Sequence, residues 1–282
     1  PKLPTSDLIV YATPLYFSTM NAAMSIFRER MLPLSKPFME KRGGRRVFSQ
    51  RHKLPRVVWL SACAVAEKSE FDALSNFLQS THHPDTPIIA EIYRTSSEAL
   101  RHPVFKQTLS DILEATIQAG GELVRSMKIS PDTMARIRQP LTDPEILTIL
   151  GNLTFKTCIA ESVTLKEFFE KGKTPRPDSL EAFMAYSVLP FNGDAAGGKK
   201  VILQFRFSGE VEDSCYFTFE RGSIKATAGT SHTYDIAIET PFELWMDIIT
   251  GKADGREMFL QRKYLVEGDL SLMLEIFQKK EN

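Results

Sequence analysis

Two different periodicities of hydrophobic and polar positions divide the chain. In its first half, short unbroken apolar runs alternate with longer segments in which apolar residues recur every three or four positions. The runs predict strands buried on both faces, and the longer segments predict amphipathic helices. Strands are thus predicted at 8–12, 57–62 and 88–93, and helices at 21–31, 69–79 and 104–127. Because strands and helices alternate strictly, we expect a parallel sheet with helices on both faces.

After residue 200 the apolar residues recur at every second position, which is typical of strands with one buried face. One face would carry Phe205 and Phe207 of a first strand, Phe217 of a second and Ile236 of a third. Glycines at 209 and 222 predict tight turns, and hence antiparallel pairing. A helix is predicted at 241–251 and a last strand at 263–277. This half is therefore expected to be α+β.

Composition and charge narrow the class of protein without identifying it. A length of 282 residues predicts about two domains, and 43% hydrophobic against 25% charged residues is the balance of a soluble globular protein. The net charge is zero, and no apolar run approaches the roughly 20 residues of a membrane-spanning helix. We therefore expect neither a nucleic-acid partner nor an integral membrane segment. Three well-separated cysteines without a paired motif favour a reducing, cytoplasmic location.

Two segments at predicted strand ends form the first candidate site. One is Thr13, Pro14, Leu15, Tyr16, Phe17 and Ser18, and the other is Ser61, Ala62 and Cys63. Ligands of open parallel sheets bind where loops leave the carboxyl ends of the strands. Aromatic rings, small hydroxyls and a rigid proline suit a flat conjugated ligand. From the residue types alone, however, a structural turn with aromatic packing is the favoured interpretation.

A family resemblance favours the ligand-binding interpretation of these two segments over the structural turn. The run from Asp7 to Tyr16, then Met20 and the helix end at 27–30, resembles the NAD(P)H-dependent FMN reductases with a flavodoxin-like fold, in particular the branch with the iron–sulfur flavoproteins. The resemblance covers about residues 1–155, although Ser25 stands where that family usually has lysine. It implies FMN binding through residues 13–17 and 61–63, NAD(P)H as electron donor, and a homo-oligomer formed through this domain.

The same resemblance makes the strand at 8–12 the third strand of its sheet. The phosphate-binding loop and the cysteines of an iron–sulfur cluster would then precede Pro1. We therefore expect a flavodoxin-like domain that lacks its first strands, and poor FMN binding by this chain alone, because the FMN phosphate normally receives charge-assisted hydrogen bonds at a helix N-terminus.

Three polar features of the first half have simpler interpretations. Eight basic side chains lie between Lys36 and Arg56, against the single acidic Glu40. They could attract the extra phosphate of NADPH or an anionic membrane surface, but a solvated loop or subunit contact is favoured. The pair His82–His83 has no third metal ligand in view and is predicted to be a turn. Cys63 could be redox-active beside a flavin, but a buried small hydrophobic residue is the commoner role.

The second half has no constellation of catalytic residues, and its apolar pattern alone favours an ordinary core. However, the segments 189–192, 201–209 and 236–240, the helix end 249–254 and the segment 264–270 together resemble the sterol carrier protein type 2 family. The resemblance implies a domain at 156–282 with a five-stranded sheet, covering helices and a lipid tunnel. Its candidate lipid-binding residues are Phe205, Phe217, Ile236, Trp245, Ile248 and Phe259.

The favoured interpretation is an FMN-dependent NAD(P)H oxidoreductase, of the flavin or quinone reductase type, that carries a lipid- or sterol-binding domain. The flavin would supply the redox chemistry, so no side chain is assigned as a catalytic acid or base, and no metal is expected. The alternative is a non-catalytic lipid-binding or transfer protein whose first half serves only as a scaffold.

Overall fold

The computed structural model describes residues 3–278 and divides them into two compact units. The first unit extends to Arg101 and also contains Phe105–Thr142, and the second contains His102–Val104 and the chain from Asp143 onwards. The helix Pro144–Ala160 begins directly after this division and runs through residue 155 without interruption. The domain boundary expected at 155 therefore falls inside a helix of the second unit.

The first unit is built around three parallel strands. Its strands and helices are, in chain order, β1 (Leu8–Tyr16), β2 (Thr19–Met20), α1 (Ala22–Glu29), β3 (Ser35–Arg42), β4 (Arg45–Gln50), β5 (Arg56–Ala62), α2 (Asp72–Thr81), β6 (Ile88–Arg94), α3 (Lys106–Ser126) and α4 (Pro131–Ile137). The sheet order is β2-β1-β5-β6, in which β1, β5 and β6 are parallel and β2 is antiparallel to β1. The parallel sheet expected from the sequence is thus present.

Helices cover both faces of this sheet, because alternate strand residues point to opposite sides. On one face Tyr11 and Trp59 pack with Leu74 and Leu78 of α2. On the other face Val58 and Ile92 pack with buried residues of α3. Continuous apolar strand sequences are the expected consequence of burial on both faces.

The basic segment 36–56 was expected to be a loop, and this prediction is wrong. Most of it forms a separate hairpin of β3 and β4, with the turn at Gly43 and Gly44, whose φ angles of 54° and 80° suit glycine. The Arg45 guanidinium donates to the backbone carbonyls of Gln79, Ser80 and His82 at the end of α2. Part of the basic charge therefore caps a helix C-terminus.

The second unit combines helices with a mixed five-stranded sheet. Its elements are α5 (Pro144–Ala160), α6 (Leu165–Glu170), α7 (Leu180–Ser187), β7 (Val201–Ser208), β8 (Ser214–Glu220), β9 (Ser223–Ala228), β10 (Ile236–Pro241), α8 (Phe242–Ile249), α9 (Gly255–Leu260), β11 (Leu265–Gly268) and α10 (Leu270–Phe277). The sheet order is β11-β10-β7-β8-β9. The predicted hairpins at Gly209 and Gly222 are confirmed.

Two predictions for this unit are wrong. First, β10 pairs with β7 in parallel, because the connection after β9 returns to the other side of β7 before β10 begins. Second, the strand expected at 263–277 ends at Gly268, and α10 follows. The Asp269 side chain caps this helix by accepting from the backbone N–H groups of Ser271 and Leu272. Within residues 3–278, no helix is both long and apolar enough to cross a bilayer.

Candidate functional sites in the two units

The two segments predicted to bind a flavin lie side by side at the carboxyl edge of the parallel sheet. Thr13 pairs with Ser61, and Pro14 pairs with Ala62, across β1 and β5. The first segment is not the loop that was expected, because β1 continues to Tyr16 and only Phe17 and Ser18 form the turn into β2. Both turn residues have positive φ, as a two-residue hairpin turn of type I′ requires.

The side chains of this edge differ in what they can offer to a ligand. Tyr16 is 61% exposed and Phe17 is fully exposed, so both rings are free to stack, whereas Leu15 is buried in the core. Thr13 Oγ1 already donates to the Pro14 carbonyl and accepts from the Asn21 backbone N–H. The edge therefore presents two exposed aromatic rings to a ligand, whereas the hydroxyl of Thr13 is occupied in stabilising the β1–β2 hairpin.

Ser61 and Cys63 lie deeper at the same edge. Ser61 is buried, and its hydroxyl has no hydrogen-bond partner among the residues described. The Cys63 thiol donates to the Val65 carbonyl at 3.4 Å. Burial raises the pKa of this thiol, so it stays protonated at neutral pH and is not an activated nucleophile.

The histidine pair adjoins the end of α2, where the chain turns as predicted. Within residues 3–278, no group of three or more histidine, cysteine or carboxylate side chains is placed to hold a metal ion.

The second candidate site is the interior of the second unit, where the sheet meets α7, α8 and α10. Phe205, Phe217 and Ile236 point to the same side of adjacent strands because of the strand period of two, and all three are fully buried. Trp245, on the inward face of α8, is 4% exposed and covers them. Ile248 and Phe259 lie partly buried at the margin of this cluster.

Aromatic rings interlock throughout this interior. The Phe205 ring lies 5.2 Å from Trp245 and 5.9 Å from Phe217, centroid to centroid, in edge-to-face arrangements. Trp245 also contacts Tyr264 at 5.6 Å and Phe277 of α10 at 5.7 Å. Such offsets are the favourable geometry for aromatic pairs. The six predicted residues are therefore part of a closed, well-packed cluster.

One polar atom stands out in this apolar cluster. The indole N–H of Trp245 is buried and has no hydrogen-bond partner among the described residues. A buried donor without a partner is costly, and most buried tryptophans have one. The interior can therefore offer a single directed donor to an oxygen-bearing apolar molecule.

Comparison with known proteins identifies this part of the chain. Residues 193–278 match the model of the SCP-2 sterol transfer family. The chain contains an SCP-2 domain. All six predicted lipid-binding residues lie within the matched segment, whereas the matched segment makes up less than half of the chain.

Solved structures are similar to the chain at low identity. Sterol carrier protein 2 from Yarrowia lipolytica, in its apo form, is 18% identical over 29% of this chain and 68% of its own, with a TM-score of 0.25. A sterol carrier protein 2 like 2 from Aedes aegypti is also 18% identical, over 29% and 77%, with a TM-score of 0.25. The stereoselective inverting sec-alkylsulfatase Pisa1 from Pseudomonas sp. is 16% identical over 62% of this chain, with a TM-score of 0.33. The chain spans only 29% of the length of that alkylsulfatase. No curated protein matches the chain significantly.

Residues outside the predicted set complete the interior of the SCP-2 domain. Phe183 lies on α7, before the matched segment, and its ring contacts Phe205 at 5.1 Å and Phe207 at 5.0 Å. This helix is signalled in the sequence by Ser179, whose side chain accepts from the backbone N–H of Ala182 and caps the N-terminus. Residues 180–187 therefore supply part of the core.

Proposed function

We propose that the SCP-2 domain binds the apolar part of a lipid, such as a sterol or an acyl chain, within its aromatic interior and transfers it between carriers. The observation that carries the proposal is the cluster around Phe205 and Trp245, which is large and apolar yet contains one unpartnered indole N–H. A hydroxyl or carbonyl oxygen of the lipid would accept a hydrogen bond from that N–H. The hydrocarbon part would take the place of some contacts that the aromatic rings now make with one another.

Binding requires the interlocked rings to separate. The element best placed to move is α10, the last described helix, which contributes Ile276 and Phe277 to the interior. The same helix carries Leu270 and Leu274, which are 44% and 60% exposed. We propose that α10 swings outward to admit the ligand, because the sheet consists of β11, β10, β7, β8 and β9, and moving this helix breaks none of the pairings between these strands.

The energetics favour affinity with loose specificity. A bound hydrocarbon gains about 25 cal/mol per Å² of apolar area removed from water, less the cost of ordering the ligand and opening the cluster. An apolar site distinguishes ligands that differ by one methylene by only about 1–3 kcal/mol. We therefore expect several long-chain lipids to compete for the same site.

Native mass spectrometry of the full chain, together with displacement of a fluorescent fatty acid, tests lipid binding. We expect one lipid per chain with a dissociation constant below about 100 µM, or about −5.5 kcal/mol. Trp245→Phe keeps the ring but removes the donor, so it should weaken a ligand with a hydroxyl more than a plain hydrocarbon. Phe155→Leu, at an exposed position of α5, serves as the control. No binding at this concentration by the folded chain would refute the proposal.

For the first unit we propose FMN binding at the sheet edge formed by residues 13–17 and 61–63, and with it an NAD(P)H-dependent oxidoreductase activity. The exposed rings of Tyr16 and Phe17 and the unpartnered hydroxyl of Ser61 fit the flat ring system of a flavin. FMN, when bound, would supply hydride chemistry between NAD(P)H and a quinone-like acceptor. The residues of this chain would stack on the ring and hydrogen-bond its polar edge.

The fit is partial, because the loops that follow β5 and β6 at this edge, residues 63–71 and 95–105, contain no glycine. Fluorescence titration of the full chain with FMN tests the proposal. We expect weak but measurable affinity, which Tyr16→Ala should lower by about 1–3 kcal/mol, the scale of stacking on an aromatic side chain. Phe38→Ala, an exposed aromatic residue of β3, is the control. If FMN does not bind, the scaffold alternative is favoured.

We further propose that the first unit forms homo-oligomers. The outer face of α3 carries Leu113, Ile117 and Val124, which are 53%, 77% and 81% exposed and lie at helical spacing on one side. Exposed apolar stripes of this kind mark interaction surfaces. In sedimentation equilibrium we expect a dimer that Ile117→Lys dissociates, whereas Gln107→Lys, near the start of the same helix, should leave the mass unchanged.

A further inference from the structure

A cavity of about 190 Å³ lies in the first unit, against the sheet face that carries Tyr11 and Trp59. It begins near Ile9 and Val57, toward the amino ends of β1 and β5. The segment after α2 and the ends of the β3–β4 hairpin form its other walls. The cavity therefore differs from the candidate flavin edge, which lies at the carboxyl ends of the same strands.

Several residues that line this cavity carry a buried polar atom without a hydrogen-bond partner. Gln50 Oε1, Trp59 Nε1, His82 Nε2 and His83 Nε2 are all buried, and none has a hydrogen-bond partner among the described residues. Such atoms are few in folded proteins and costly one by one. Four of them belong to residues that line one cavity, which makes this cavity a candidate binding site.

The two histidine rings of the cavity differ in what their surroundings show. His83 Nδ1 accepts from the Asp85 backbone N–H at 3.2 Å, so the proton of the neutral ring is on Nε2, which can donate. Burial lowers the pKa of His82 to about 4, so this ring is neutral at pH 7. A neutral imidazole has one donor and one acceptor nitrogen, so the His82 ring can form a hydrogen bond with a polar group of a ligand.

A half-buried positive charge completes the lining. Arg28 of α1 donates to Thr81 Oγ1 at 3.0 Å, and its guanidinium carbon lies 5.6 Å from the Trp59 ring and 5.0 Å from the Phe77 ring. Within residues 3–278, no carboxylate forms an ion pair with Arg28 and none lines the cavity. Burial of an unpaired charge is costly, and an anion would relieve that cost.

We propose that this cavity binds a small planar aromatic monocarboxylate of about the size of benzoate. The carboxylate would accept from Arg28, with Trp59 or His83 as a second donor, and the ring would pack on Tyr11 and Trp59. Gln50 remains as an acceptor for a hydroxyl on the ring, and the neutral His82 ring can form a hydrogen bond with the same hydroxyl. The size agrees, since a cavity of about 150 Å³ holds benzene. This proposal depends on neither lipid nor FMN binding.

Two-dimensional ¹H–¹⁵N spectra of the full chain provide a direct test, because Trp59 and Trp245 are the two tryptophans of the sequence. Benzoate should shift the indole N–H signal of Trp59 and leave that of Trp245 unchanged. Benzamide, which has the same shape without the charge, should bind at least about tenfold more weakly, since hydrogen bonds to charged groups are the stronger ones. Cyclohexanecarboxylate, which is not planar, should also bind more weakly.

Variants separate the charge from the cavity shape. Arg28→Gln should lower benzoate affinity about tenfold or more, whereas Arg30→Gln, at an exposed position at the end of the same helix, should not change it. If Arg28→Gln disturbs folding, Gln50→Glu places a competing carboxylate in the cavity and should abolish benzoate binding. Three results would each overturn the proposal. Benzamide or inorganic phosphate could bind as tightly as benzoate, or the Trp59 signal could fail to shift at about 10 mM benzoate.

Discussion

Gln204 illustrates how a single polar residue joins two parts of the SCP-2 domain. It lies on the sheet face opposite Phe205, where the sequence pattern places a solvent-exposed residue, yet it is fully buried. Its amide nitrogen donates to the carbonyls of Phe205 and Cys215 at 2.8 Å, and its oxygen accepts from the Ser231 backbone N–H at 2.8 Å. These bonds fasten the connection between β9 and β10.

Replacing Gln204 with leucine keeps the volume and leaves buried backbone groups without partners. We expect the free energy of unfolding to fall by about 1–3 kcal/mol, the cost of an unsatisfied buried polar group. Urea denaturation followed by tryptophan fluorescence measures this change. Thr218→Val, on the same sheet face in β8, should change the stability by less than about 0.5 kcal/mol. An equal effect of the two variants would contradict the role given to Gln204.

His102 makes the stability of the second unit dependent on pH. The ring is buried, contacts Phe168 and Phe169, and lies 3.0 Å from Thr154 Oγ1. Burial lowers its pKa from 6.5 to about 4. Between pH 6.5 and pH 4, the His102 ring is protonated in the unfolded chain but neutral in the folded chain. The free energy of unfolding is therefore unaffected by His102 above about pH 6.5 and decreases as the pH falls toward 4.

We expect the loss to reach about 3 kcal/mol by pH 4, at 1.36 kcal/mol for each pKa unit. NMR titration of the imidazole signals should give His102 a pKa well below 6. His232, which is exposed in the chain, provides the reference signal in the same spectra. A normal pKa for His102 would show that the ring is hydrated rather than buried.

At the scale of elements, the N-terminal cap of α10 should control how fast lipid leaves the SCP-2 domain. Asp269 accepts from the Ser271 and Leu272 N–H groups at 2.9 and 3.1 Å, and losing such a cap costs about 0.5–2 kcal/mol. If α10 is the element that opens, Asp269→Ala should speed dissociation of a fluorescent fatty acid by about 2- to 30-fold. Stopped-flow displacement measures this rate.

The matched control uses a cap elsewhere in the same unit. Thr164 caps α6, where its hydroxyl accepts from the Glu167 N–H and the Glu167 side chain accepts in return. Thr164→Ala should lower stability by a similar amount and leave the dissociation rate unchanged. Equal acceleration by both variants would mean that the ligand leaves by general loosening rather than through α10.

At the scale of the whole molecule, the division into two units predicts where a protease cuts. The proline-rich run at 174–177 is typical of a flexible joint, but Pro175 and Pro177 are buried there. Arg176 forms an ion pair with Glu210, and its backbone N–H donates to Thr157 Oγ1 at 3.0 Å. This segment is therefore fastened to the second unit.

Limited trypsin digestion should consequently cut near the division of the units at Thr142, for instance after Arg138, rather than after Lys171 or Lys173. Proteolysis requires local unfolding of the backbone around the cleaved bond, which the contacts of residues 173–177 oppose. Mass spectrometry of the early fragments identifies the sites. A first cut at Lys171 or Lys173 would show that the proline-rich segment is mobile after all.

The sequence by itself determined those features that depend on local periodicity and capping. Continuous apolar runs gave the parallel strands β1, β5 and β6, and the period of two, with glycines at 209 and 222, gave the hairpins of the SCP-2 domain. Asn21, a residue type that favours helix N-termini, caps α1 by accepting from the Met24 N–H. These features follow from residues within a few positions of one another, so the chain pattern contains them.

Only the tertiary structure decided the features that join distant segments. The parallel pairing of β10 with β7 and the burial of Gln204 depend on the path of a connection that has no periodicity of its own. The sequence after Gly268 is apolar at most positions, so its period did not distinguish a strand from α10. The cavity beside Trp59 brings together Arg28, Gln50 and His82 from three separate segments of the chain. Their spacing along the chain does not predict this proximity, because it results from long-range packing alone.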